Sequence, residues 1–232
     1  RGIGKRKLKR LSFFSGHVCM SSSYGYCAFC RTFSSLQDAL CKECADALAL
    51  EISVASRLPR CPSCLGFLLY EGAACPHRQN SVPILRLGFF RGTLGRLVSA
   101  CEHGGDGRVH ALIAALVDRN LRREFSLDPA RMLIVPVPCS VRSLRERGHD
   151  HMRRVAQVLG SRHGYHTAHV LGRTPGSGQV RILRRVDGRS DQLLRVVVID
   201  SSMHGGSTLS ECVGLLEMAF SCPVCGLSVA SH

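Results

Sequence analysis

Cys27, Cys30, Cys41 and Cys44 stand in the pattern Cys-x2-Cys-x10-Cys-x2-Cys. A tight turn within each Cys-x2-Cys pair lets two thiolates converge, and two such pairs supply the four sulfur ligands of a tetrahedral zinc ion. Moving 34 residues along the chain finds Cys61, Cys64 and Cys75 at the same spacing, with Arg78 where the fourth ligand would stand. His77, one residue early, would complete a Cys3His site; the alternative is a degenerate copy whose cysteines stay reduced and buried. The spacing also admits crossed pairing, with the 27/30 and 61/64 pairs sharing one ion. In every case the expected role is structural, because a site with four protein ligands has no open position for water. Cys222-Pro-Val-Cys225 has no second pair nearby and reads as two half-buried cysteines at the start of a strand. Cys101, His103 and His110 lack a fourth partner, and the two histidines are expected on a solvated loop.

A second constellation runs from Leu193 to Leu209, LLRVVVID followed by SSMHGGSTL. A hydrophobic strand ends in Asp200, a short loop passes through Gly205 and Gly206, and a helix begins near Ser207 and Thr208. Glycines let backbone N–H groups converge, a helix N-terminus adds partial positive charge, and the Ser and Thr hydroxyls add donors. That combination makes an anion site. An aspartate at the strand end is placed to accept hydrogen bonds from sugar hydroxyls. The bland reading is that Ser207 or Thr208 merely caps the helix. No Walker lysine follows, and no GxGxxG opens a helix after a strand.

Elements that must position these groups follow from hydrophobic period. From Gly88 the chain has a helical pattern with Leu94, Leu97 and Val98 on one side, broken at Gly104 and Gly105. A second helix is expected over Val109–Arg123, a strand over Met132–Val137 ended by Pro138, and a helix over Arg153–Gly160. Leu193–Ile199 is expected as a strand, Ser201–Ser207 as a loop, Thr208–Ala219 as a helix and Leu227–Ala230 as a last strand. Strands alternating with helices imply right-handed crossovers and a mainly parallel α/β sheet. Eight of the 13 cysteines precede residue 80. Three regions follow: a basic, disordered tail over 1–22, a cysteine-rich zinc-binding module over 23–80, and an α/β domain over 81–232.

The chain has 232 residues, with 31 Lys and Arg against 17 Asp and Glu, a formal net charge of +14. Such an excess suits a phosphate-rich partner, nucleic acid or phosphorylated small molecule. With 45% hydrophobic residues a real core is available, which excludes disordered and collagen-like classes. No stretch approaches the roughly 18 apolar residues of a membrane span. The basic opening RGIGKRKLKR is followed by LSFFSGHVCM, too interrupted for a signal-peptide core, so a cytoplasmic location is expected.

The strand with IDSSMHGGSTL resembles the ribose-phosphate loop of type I phosphoribosyltransferases, and Ile134–Gly148 (IVPVPCSVRSLRERG) resembles the PVP and arginine-RG element of the ComF (competence protein F) family. That family also has an N-terminal cysteine module and an aromatic-x-Gly segment like Phe90-Arg91-Gly92. The resemblance spans most of residues 27–230. It implies a type I phosphoribosyltransferase-like sheet, with Asp200 on the ribose of phosphoribosyl pyrophosphate and Gly205, Gly206, Ser207 and Thr208 on its 5-phosphate. It implies magnesium with that donor, and Arg145 and Arg147 on a mobile loop as pyrophosphate or DNA contacts.

The chain departs from the family in several places. Ser201 stands where the family has a second acid, His204 and Gly205 replace paired threonines, Glu102 replaces a lysine, and His149 and Asp150 replace an aromatic and Asn. Losing one of two carboxylates near a cationic sugar removes stabilising charge, so weak or absent turnover is expected, with Ser201→Asp as the restoring change. No catalytic residue is assigned. The resemblance implies a protein that supports DNA uptake or processing by binding single-stranded DNA and a ribose-phosphate ligand, with competence proteins as partners. The alternative is an active phosphoribosyltransferase in nucleotide or base salvage.

Overall fold

The structure, a computed structural model, describes residues 24–35, 38–75, 82–183, 193–204 and 207–232. The expected basic tail, His77, Gly205 and Gly206 lie outside the described residues. Two short antiparallel strands, β1 (Tyr24–Tyr26) and β2 (Phe33–Ser35), lead to helix α1 (Lys42–Ser56). Then come β3 (Ile84–Phe89), α2 (Gly92–His103), α3 (Gly107–Phe125), β4 (Met132–Pro136), α4 (Val141–Arg147), α5 (His151–His163) and β5 (His166–Thr167). A small antiparallel pair, β6 (Leu171–Arg173) and β7 (Val180–Ile182), precedes β8 (Arg195–Met203), α6 (Ser207–Glu217) and β9 (Val224–Ser231).

Five strands form one sheet in the order β3-β9-β8-β4-β5, and every neighbouring pair is parallel. This is the α/β class the sequence predicts. A parallel sheet is covered on both faces, so its strands read as unbroken apolar runs. Val197 and Ile199 belong to a core with Leu97, Ile113 and Val155, from α2, α3 and α5. Val196 and Val198 belong to a second core with Leu209, Val213 and Leu216 of α6. Each fully buried branched side chain stabilises by roughly 1.5–3 kcal/mol. Ile199, wholly buried, would cost roughly 2–5 kcal/mol if cut to Ala.

Leu40 and Leu48 of the cysteine-rich segment pack into the same core as Leu87 and Leu94. The second knuckle is tied to β3 by the Ile84 N–H, which donates to the Cys64 carbonyl at 3.0 Å.

Of the boundaries that differ from the sequence pattern, three shape the sheet edge that carries the site. The helix expected from Gly88 starts at Gly92, because Gly88 and Phe89 pair with Ala230 and Ser231 of β9. Its start is set by Glu51 of α1, whose carboxylate accepts from Thr93 N (2.7 Å) and Leu94 N (2.9 Å). Gly92 has φ 56, and a Cβ there would collide with that carboxylate. The loop expected from Ser201 is strand up to Met203, since Ser202 and Met203 pair with Ala230 and Ser231. The expected last strand is longer, and it lies between β3 and β8 with every residue buried. Among the described residues, no helix is long and apolar enough to cross a membrane.

Candidate functional site

Strand β4 feeds α5, on one face of the sheet, and continues to β5; its neighbour β8 feeds α6, on the other face, and continues to β9. The connections leave adjacent strand ends in opposite directions. Such a switch point opens a crevice at the carboxyl edge of an α/β sheet, where ligands of this fold class bind. Here it holds a cavity of about 320 Å³ lined by Val137, Pro138, Cys139 and Ser140 after β4 and by Asp200, Ser201 and Ser202 of β8. Glu102, Arg147, Asp150, His151, Arg173 and Thr208 complete the polar lining. A larger cavity of about 740 Å³ lies between the cysteine segment, α1 and α3. Its walls come mainly from α1 and α3, with Phe33 and Ser34 of β2 and Leu87 of β3, and it lies away from the carboxyl edge of the five-stranded sheet, where ligands of this fold class bind.

Four cavity residues form one hydrogen-bonded chain. Arg147 Nη1 lies 3.2 Å from His151 Nδ1, His151 Nε2 lies 3.0 Å from Ser201 Oγ, and Ser201 Oγ donates to Glu102 Oε1 at 2.6 Å. A guanidinium can only donate, so His151 accepts at Nδ1 and carries its proton on Nε2. Burial drives the His151 pKa down to about 4, which keeps the ring neutral as this pattern requires. Ser202 Oγ also donates to Glu102 Oε1, at 3.2 Å. Asp200 is half-buried; burial by the surrounding protein is the largest cause pushing its carboxyl up to about 6, opposed by the Ser201 N–H on Oδ1 at 2.8 Å and reinforced by Glu102.

Asp200 and Thr208 line the cavity, while Ser207 is exposed at the first residue of α6. The glycine loop between them falls outside the described residues. Arg147 lines the cavity, whereas Arg145 is exposed away from it. Both arginines sit on helix α4 and not on a loop, because Ser140 caps that helix by accepting from Ser143 N (3.0 Å) and Gly148 ends it at φ 73. Asp150 caps α5 through Arg153 N at 3.0 Å.

Sequence reasoning missed Glu102, His151, Ser202 and Arg173 as site residues. Arg173 is fixed by bonds from Nε to the Pro138 carbonyl (2.9 Å) and from Nη1 to the Gly178 carbonyl (3.0 Å). Glu102 carried a readable signal: a carboxylate in the last turn of a helix opposes the dipole and calls for another reason to be there. His110 is a correction, since it is buried within α3 and its Nδ1 lies 2.9 Å from the Asp106 carbonyl. It lies in the first turn of α3 beside the buried Val109 and Ile113, and its ring meets His149 edge-on at 5.7 Å, which takes it out of solvent.

The cysteines form two groups in chain order, Cys27/Cys30/Cys41/Cys44 and Cys61/Cys64/Cys75, with the sulfurs in each within 4.8 Å of one another. Crossed pairing is thereby excluded. Both knuckles share one local structure: Cys27 N donates to Thr32 O (2.8 Å) and Arg31 N to Cys27 O (3.2 Å), while Cys61 N donates to Gly66 O (2.9 Å) and Leu65 N to Cys61 O (2.9 Å). Arg31 and Leu65 hold matching left-handed φ values of 62 and 58. Burial pushes the Cys27 thiol up, but the N–H groups of Cys30, Cys41 and Phe29 outweigh it and bring the pKa to about 6. The Cys64 and Ser63 N–H groups bring Cys61 down to about 7. Sulfurs already gathered beside backbone donors fit a thiolate-bound metal ion. Cys222 is half-buried as expected and lies just before β9, whereas Cys225, at the start of that strand, is fully buried.

No protein-family model matches the sequence, and no curated protein does. Among solved structures the chain is similar to a hypoxanthine phosphoribosyltransferase from Staphylococcus aureus, at 13% identity over 54% of this chain with a TM-score of 0.35. It spans 65% of that protein, less than two thirds of its length. It is also similar to a purine phosphoribosyltransferase from Pyrococcus horikoshii Ot3, at 14% identity over 52% of this chain and 81% of that one, with a TM-score of 0.32. The parallel sheet order β3-β9-β8-β4-β5 itself defines the α/β class.

Proposed function

We propose that this chain is a ComF-like protein with a phosphoribosyltransferase-type fold, and that the cavity between β4 and β8 binds a ribose-phosphate ligand. One observation carries this reading: the switch-point cavity brings the sugar-type acceptor Asp200 together with the cations Arg147 and Arg173 and the Thr208 hydroxyl. A ligand that joins sugar hydroxyls to a phosphate matches a carboxylate acceptor and two cations in one cavity. Binding and turnover of phosphoribosyl pyrophosphate with magnesium, in nucleotide or base salvage, is the alternative use of the same cavity. Calorimetric titration with ribose 5-phosphate, alongside pyrophosphate release from the ribosyl donor over a panel of bases, separates the two. Saturable binding without release supports the binding role, and absence of binding rejects both.

The cysteine-rich segment would hold structural zinc, through Cys27, Cys30, Cys41 and Cys44 and through Cys61, Cys64 and Cys75 with His77. Single-stranded DNA is the proposed macromolecular partner, in the cytoplasm and in support of competence. What supports it is the net charge of +14 together with Arg142, Arg145, Arg153 and Arg154, all exposed on α4 and the start of α5, the two helices that also carry the cavity residues Arg147 and His151. Affinity for single-stranded DNA should fall steeply between low and physiological salt as counterions are released. Salt-independent binding would contradict this reading.

A further inference from the structure

Three carboxylates line the cavity; Asp150 caps α5, and the other two, Glu102 and Asp200, reach it from opposite faces of the sheet. Glu102 comes from α2, which packs in the core with Val197 and Ile199, while Asp200 alternates with them along β8, in phase with Val196 and Val198. Their proximity is unfavourable in itself, since Glu102 raises the Asp200 pKa. Glu102 also stands against the dipole of its own helix. It is nonetheless held by an ordered set of donors. Ser201 and Ser202 both take Oε1, and behind Ser201 stand His151 and then Arg147. Among the described residues no partner takes Oε2. A carboxylate fixed through one oxygen, with the other free in a polar cavity, is prepared to accept a hydrogen bond from a ligand.

We propose that Glu102 is a ligand-binding residue of the cavity, its Oε2 accepting from one ring hydroxyl of the ribose while Asp200 accepts from the neighbouring one. This rests on the ribose-phosphate reading above. The cations Arg147 and Arg173 then face the phosphate end, and the Arg147–His151–Ser201 chain sets the orientation of Glu102 before the ligand arrives. The chemistry selected for is a pair of adjacent hydroxyls joined to a phosphate, which separates a ribose from a deoxyribose ligand.

The test is calorimetric titration of the full chain with ribose 5-phosphate and with 2-deoxyribose 5-phosphate, each in EDTA and in magnesium. Glu102→Gln keeps an acceptor for both serines and removes only the charged oxygen. It should weaken ribose 5-phosphate about tenfold, the worth of one hydrogen bond to a charged group, and Asp200→Asn should do likewise. Towards the deoxy sugar one of these two penalties should vanish, because its hydroxyl is gone. Glu102→Asp, which keeps the charge and withdraws the carboxylate by one methylene, should also weaken ribose 5-phosphate severalfold and serves if the glutamine variant melts early. If the unmodified protein binds neither sugar, the ribose-phosphate reading falls and this inference with it. If it binds and Asp200→Asn is impaired while Glu102→Gln binds within twofold of the original, the role of Glu102 alone is overturned. Equal penalties on both sugars overturn the adjacent-hydroxyl assignment, and an effect of Glu102→Gln seen only in magnesium shows a metal-bridged contact in its place.

Discussion

Ser201 Oγ donates to Glu102 Oε1 at 2.6 Å and joins the end of β8 to the last turn of α2 across 99 positions of chain. Ser201 is itself buried, and its Oγ also accepts a hydrogen bond from His151 Nε2, 3.0 Å away. A carboxylate arriving from another element thus sits against position 201. An aspartate at 201 would face Glu102 and Asp200 at once. Ser201→Asp should therefore destabilise the protein by about 3 kcal/mol or more, as an unpaired buried charge does, and should restore no turnover. Urea unfolding of Ser201→Asp, with and without Glu102→Gln, checks this: the second change should recover most of the loss, and additivity of the two would contradict the contact.

Asp200 and His151 pull the pH dependence of stability in opposite directions. The Asp200 carboxyl titrates near 6 in the folded protein against an ordinary 3.8, so the native state binds the extra proton and stability falls as pH rises from about 3.8 to 6. His151 titrates near 4 against an ordinary 6.5, so the unfolded state binds the extra proton and stability rises over about 4 to 6.5. The two slopes largely cancel. Asp200→Asn should gain on the order of 1–3 kcal/mol at pH 7.5 and nothing at pH 4, and its difference from the unmodified protein across pH, by chemical denaturation, reports the Asp200 proton alone. A difference that does not change with pH contradicts the raised carboxyl.

At least one zinc per chain should be found by metal analysis, and Cys27→Ser should lower the count by one, since Cys27 belongs only to the first cysteine group. The matched knuckle turns give a finer test. Arg31 is exposed with φ 62, a region that disfavours a side chain by roughly 1–2 kcal/mol. Arg31→Gly should therefore stabilise the metal-loaded protein by up to about 1 kcal/mol after the entropy of glycine in the unfolded chain is subtracted. A lower melting temperature for this variant would argue against the turn.

Glu51 connects the cysteine-rich segment to the α/β core by capping α2 from outside. Glu51→Ala should remove two charge-assisted bonds and cost about 1–2 kcal/mol. Because α2 carries Glu102, the same change should also weaken ribose 5-phosphate binding, whereas Lys42→Ala, which breaks only an exposed pair with Asp46, should alter neither. Calorimetry on the two variants decides between a coupled and an independent N-terminal segment.

The features that repeat or alternate along the chain were legible without a structure. The Cys-x2-Cys pairs and their 34-residue copy, the apolar runs of β4 and β8, and the periodic faces of α2 and α3 depend on neighbours a few residues apart, where backbone geometry alone links spacing to shape. Tertiary structure decided what lies between those elements. It paired Ser202 and Met203 into β8 through β9, placed Glu51 on the start of α2, and set Glu102, His151 and Ser201 into one hydrogen-bonded chain. These relations join residues tens of positions apart, and their free energy comes from partners that meet only when the sheet closes. A glutamate read in sequence as a departure shares, in the fold, one cavity with Asp200, because position along the chain says little about which side chains share a desolvated space.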